Sequence, residues 1–104
     1  YTSGQIALMP DGNMETRGIE YQTKQVMKNL FYVLQKAGAE FNDVIKTTIY
    51  LADMDDFATV NEIYAHYFGD HKPARSTIAV KTLPKNALVE IECIAIANNY
   101  ADFG

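Results

Sequence analysis

From Ile19 to Ala37 the apolar residues Val26, Met27, Leu30, Val33, Leu34 and Ala37 recur every three or four positions, the spacing of one helix face. Glu20 lies near the start of this segment, where the positive end of a helix dipole favours a carboxylate, and Gly38 offers a stop after the last turn. The run from Val44 to Leu51, Val-Ile-Lys-Thr-Thr-Ile-Tyr-Leu, is rich in β-branched side chains and predicts a buried strand. A second helical stripe follows in Phe57, Val60, Asn61, Tyr64 and Phe68, with Asp53, Asp55 and Asp56 ahead of it as caps. Gly69-Asp70-His71-Lys72-Pro73 breaks that helix. Beyond it the pattern predicts a strand from Arg75 to Lys81, a turn at Leu83-Pro84-Lys85-Asn86 and a last strand from Ala87 to Ala97. At the other end, Tyr1 to Leu8 reads as a strand closed by Met9-Pro10-Asp11-Gly12-Asn13, and the tail from Asn98 to Gly104 is expected to be loose.

The expected order is therefore β-α-β-α-β-β, an α+β two-layer sandwich with two helices on one face of a mixed sheet. Two helices can cover only one face of that sheet, so something else should bury the other.

Composition narrows the function classes. A chain of 104 residues with 48% apolar content makes one domain, 1–104, with a real core. No apolar run approaches the roughly 20 residues of a membrane span, and no signal-like leader is seen, so no membrane partner is expected. The net charge of −4 and the dispersed cationic residues argue against a nucleic-acid partner. The single cysteine, Cys93, cannot form an internal disulfide and suits a reducing, cytoplasmic setting.

Candidate chemistry gathers late in the chain. Strand side chains alternate faces, so Glu90 and Glu92 point one way and Val89, Ile91 and Cys93 the other. Arg75, one of only two arginines against seven lysines, could fork onto a carboxylate, either one of these glutamates in a surface ion pair or that of a small acidic ligand. Asn61 falls inside an apolar stripe, where an amide needs a partner, either neighbouring backbone or a site group. Cys93 reads as a small core residue. Ser3 has no histidine near it in sequence and would lack an obvious base as a nucleophile. His66 and His71 have no third ligand at metal spacing, so no metal is expected, and no Gly-rich phosphate loop points to a nucleotide cofactor.

Pro73-Ala74-Arg75-Ser76-Thr77, Leu83-Pro84-Lys85 and Val89-Glu90-Ile91-Glu92, in this order and spacing, resemble the signature of the RidA family, the YjgF-type reactive-intermediate deaminases. Thr2-Ser3-Gly4-Gln5-Ile6, Val44-Ile45-Lys46-Thr47-Thr48 and Asp55-Asp56-Phe57-Ala58-Thr59-Val60-Asn61 match the same family in the expected order, so that the likeness runs from Tyr1 to about Asn98. The resemblance implies a chorismate-mutase-like fold assembled as a homotrimer with clefts between subunits. It implies that Arg75 holds the carboxylate of a 2-imino or 2-enamino acid and that Glu90 positions the attacking water. It places Ser3, Gly4, Asn61 and Thr77 around the substrate. Thr77 stands where many relatives carry cysteine, which removes a thiol there. The family pattern also has an earlier strand and a Gly-Pro-Tyr element, which this sequence does not contain.

Three functions follow as expectations. The first is a cofactor-independent imine deaminase, a 2-iminobutanoate/2-iminopropanoate deaminase giving 2-keto acids and ammonia. The second is a non-catalytic module that binds small carboxylates as a regulator. The third, an endoribonuclease or translation inhibitor, fits the acidic composition and the lack of a histidine pair worst.

Overall fold

Ile19–Lys36 forms helix α1, and Val26, Met27, Leu30 and Leu34 are its buried stripe. Glu20 and Lys36 sit at the ends their charges favour, and Gly38 continues beyond the helix with a left-handed φ of 80°. Strand β1 (Val44–Leu51) leads into a 3-10 turn in which the Asp53 carboxylate accepts from the Asp55 N–H at 2.9 Å. Helix α2 (Phe57–Phe68) then buries Val60, Tyr64 and Phe68 and ends at Gly69. Strands β2 (Ala74–Ala79) and β3 (Val89–Ala95) complete the set. The computed structural model describes residues 1–97, and the tail expected to be loose, 98–104, lies outside the described residues.

The sheet order is β2-β1-β3, with β1–β2 parallel and β1–β3 antiparallel. The parallel pair is joined by α2, as parallel strands need a crossover. Both helices pack on one face, where Ile49, Leu51, Val89, Ile91 and Cys93 meet Val26, Met27, Leu30, Val60 and Phe68. The result is the two-layer α+β sandwich of the sequence reading. Among the described residues no helix is long and apolar enough to cross a membrane.

Two expectations need correction. β1 is not buried on both faces: Val44, Thr47, Ile49 and Leu51 are buried while Lys46, Thr48 and Tyr50 are half-exposed. The β-branched residues on its open side mimic a fully buried strand. Tyr1 to Leu8 is likewise not a regular strand, although it runs antiparallel along β3. Gln5 and Ile91 exchange both backbone hydrogen bonds, at 2.9 and 3.0 Å. A regular ladder would next pair Ser3 with Cys93. Instead the Thr2 N–H donates to the Cys93 carbonyl at 2.8 Å, and the Thr2 hydroxyl accepts from the Cys93 N–H at 2.9 Å. A one-residue slip at Ser3–Gly4 thus interrupts the pairing, as in a bulge.

The segment is held from its other side as well. The Asn29 side chain of α1 donates to the carbonyls of Ile6 and Leu8 at 3.0 and 2.9 Å. Farther along, Glu15 is only 5% exposed and takes a bidentate pair from Arg17, Nε at 2.9 Å and Nη2 at 2.8 Å. These bonds, opposed by burial, hold the Glu15 carboxyl down at about 2, against an ordinary 4.5. A lowered value means the pair stabilises the fold fully above about 4.5, progressively less below it, and not at all once the pH passes through about 2. Glu15→Gln should therefore lower the thermal midpoint at pH 7, with the gap to wild type closing towards pH 2. A gap of constant size across that range would rule out this account of the pair.

Candidate active site

Arg75 sits on the edge strand β2 opposite Thr47, on the helix side of the sheet. That side is set by Thr47, which is fully buried and hydrogen-bonded to the Tyr64 hydroxyl of α2 at 2.7 Å. The Arg75 guanidinium donates to the Asn61 side-chain oxygen and lies 5.1 Å from the Tyr64 ring centroid and 5.5 Å from that of Phe57. Phe57, Asn61 and Tyr64 are four and three residues apart, so one face of α2 presents all three. The amide fixes the fork and the rings add cation–π attraction. Of the five guanidinium N–H groups, one is used on Asn61 among the described residues. The expected partner of Asn61 is thus the Arg75 side chain rather than backbone.

Among the described residues no carboxylate pairs with Arg75. The ion pairs among the described residues are Arg17–Glu15 and Lys24–Glu20, so the alternative of an Arg75 bridge to Glu90 or Glu92 is not realised within the chain. Topology explains this. Arg75, Thr47 and Cys93 form one cross-sheet row, whereas Glu90 lies opposite Tyr50 on the other face, with β1 between the two strands. A spacing of fifteen residues carries no information on which face either residue takes.

Glu90 and Glu92 do share the open face, and the structure distinguishes them. Glu92 accepts the Tyr50 hydroxyl at 2.7 Å, a bond that pushes the Tyr50 phenol above its usual value. Glu90 lies against the N-terminal segment instead. A Cβ built on Gly4 would come within 2.0 Å of Glu90 Oε2, closer than any side chain tolerates. Glycine at this position is therefore what lets the Glu90 carboxylate lie over that backbone. Ser3 is exposed beside it, and its hydroxyl accepts a long 3.3 Å bond from the Gln5 amide.

The sequence-derived site residues thus form two groups. Arg75 and Asn61 meet beside α2, with Thr77 on the same side of β2, opposite Ile49. Glu90, Gly4 and Ser3 gather at the β3 edge. Cys93 is buried, and burial raises its thiol, leaving it a poor nucleophile as well as a core residue. Among the described residues no group of three His, Cys, Asp or Glu could hold a metal ion. His71 is tied through Nε2 to the Val44 carbonyl at 2.6 Å.

The residues the sequence reading passed over are Phe57, which shares the floor under Arg75 with Tyr64, and Lys72. A cavity of about 430 Å³ opens between α2 and β2, lined by Asn61, Tyr64, Phe68, His71, Lys72 and Arg75 among others. The helical spacing around Asn61 held the signal for the two rings. Lys72 carried none beyond its closeness to Arg75.

The family model described as Endoribonuclease L-PSP matches residues 1–97. The Arabidopsis thaliana protein named Reactive Intermediate Deaminase A, chloroplastic, is 52% identical over 96 residues, covering 91% of this chain and 51% of its own length. The Mus musculus protein named 2-iminobutanoate/2-iminopropanoate deaminase is 50% identical over 97 residues, covering 92% of this chain and 72% of its own. The solved structure of RidA from an Antarctic Psychrobacter superposes with a TM-score of 0.88 at 36% identity, over 91% of this chain and 77% of the other. The match over residues 1–97, the identities near one half and the shared fold agree with the segments around Arg75 and Glu90: the chain belongs to the Endoribonuclease L-PSP family, in its RidA/YjgF group.

Proposed function

We propose that the chain is a 2-iminobutanoate/2-iminopropanoate deaminase that works without a cofactor, as one domain per subunit of a cytoplasmic homotrimer. The observation that carries this reading is the state of Arg75: aimed by Asn61, backed by two rings and paired with no carboxylate among the described residues, it is a fork prepared for a ligand. The names of the mouse and Arabidopsis relatives supply the chemistry.

In this reading Arg75 takes both oxygens of the substrate carboxylate and so fixes the imine carbon. Glu90 accepts a hydrogen bond from water, and drawing off its proton lets the oxygen attack that carbon. The tetrahedral adduct then expels ammonia, the nitrogen carrying off the proton, to leave the 2-keto acid. The balance is one imine and one water in, one keto acid and one ammonia out, with no redox change. A protonated imine is already electrophilic, so no further group has to activate it.

Arg75 and Glu90 lie on opposite faces and on different strands of one chain. A substrate that touches both must lie between two copies. The open sheet face and the exposed β2 edge, with Ile78 47% exposed, are surfaces that assembly would cover. Sedimentation should give a trimer at micromolar concentration, and a stable monomer would exclude the shared cleft.

The regulatory-module reading uses Arg75 alone and leaves Glu90 idle. The ribonuclease reading has the family's name behind it but an acidic chain against it. An assay that generates the imine with threonine dehydratase and follows its decay decides between them. Decay should be faster with the protein present, and an unchanged rate alongside ligand binding would favour the module.

A further inference from the structure

The cavity beside Arg75 holds more positive charge than one carboxylate requires. Its lining from this copy includes Arg75 and Lys72 and, among the described residues, no acidic side chain, in a chain where 13 acidic residues outnumber 9 basic ones. Neither Arg75 nor Lys72 is ion-paired among the described residues. Three positions separate them, across Pro73, whose ring fixes the backbone between the two side chains. The C-terminal end of α2 also borders the cavity, and its carbonyls would oppose an anion. Two of these are already satisfied, Ala65 by the Gly69 N–H at 2.9 Å and Phe68 by the His71 N–H at 3.2 Å. At about 430 Å³ the space is roomy for a three- or four-carbon acid.

We infer that this cavity receives a second anionic group, so that the chain favours ligands with a side-chain carboxylate, with Arg75 holding the first carboxylate and Lys72 the second. The inference rests on the deaminase reading for the reaction, which makes the substrates 2-imino dicarboxylic acids. It rests on the cavity alone for binding.

Titration calorimetry on the assembled protein with 2-oxoglutarate and 2-oxobutanoate tests the binding directly. Wild type should hold the dicarboxylate about three- to tenfold tighter, the range expected of an exposed ion pair aided by a neighbouring cation. Lys72→Met should remove that preference and Lys72→Glu reverse it, and high salt should shrink it, because Lys72 is exposed. Equal affinities in wild type, or a preference that survives Lys72→Glu, would overturn the inference. Imine decay is followed in parallel with the imines of glutamate and 2-aminobutyrate. If neither decays faster with the protein, the deaminase reading falls, while the affinity ratio still decides the second site.

Discussion

Replacing Arg75 with alanine should cut kcat/KM for imine hydrolysis about a thousandfold, about 4 kcal/mol of lost transition-state stabilisation. The estimate follows from what the fork does. In the proposed reaction it fixes the substrate carboxylate, and without it the imine carbon would have no defined position relative to Glu90. The fold should survive, because Arg75 is exposed and its side-chain hydrogen bond among the described residues is the one to Asn61. Arg75→Lys should recover little, since an ammonium cannot present two parallel N–H groups to a carboxylate. Steady-state kinetics with circular dichroism on both variants checks this. Near-normal turnover by the alanine variant would remove Arg75 from the site.

Glu90→Gln and Glu92→Gln should differ sharply although the residues share a strand face. Glutamine keeps the size of Glu90 but removes the charge that in the proposed reaction draws water's proton, so kcat should fall about a hundredfold or more while carboxylate affinity through Arg75 persists. Glu92 is engaged by the Tyr50 hydroxyl at 2.7 Å, and its loss should cost stability, about 1 kcal/mol, more than turnover. Rates, affinities and thermal midpoints for both variants belong side by side. If Glu90→Gln turned over normally, water activation would be wrong and the binding-module reading would gain.

The helices were legible because burial on one side writes a clear period, and the central strand because its β-branched run favours extended backbone. α1 ends one residue before the expected Ala37, and β1 spans the residues expected of it. The N-terminal strand misled because its alternation is genuine up to a point. The Thr2 hydroxyl takes the place of a backbone carbonyl, and no propensity records such a substitution. The residues proposed for the site came from the sequence as a list, through motifs. Their division did not, since the faces of Arg75 and Glu90 follow from pairing both strands with β1. Gly4 is an intermediate case: a glycine in a strand-like run signals a close approach, but only the fold reveals that Glu90 makes it.

The central claim is a hydrolytic site that takes Arg75 from one copy and Glu90 from another. The most direct measurement is imine decay by a mixture of the two inactive variants, Arg75→Ala and Glu90→Gln, unfolded together and refolded. In a cyclic trimer each mixed assembly regains one intact site in three, so an equal mixture should recover about a quarter of wild-type activity. A mixture as inactive as its components, while wild type refolded in the same way is active, would contradict the shared site.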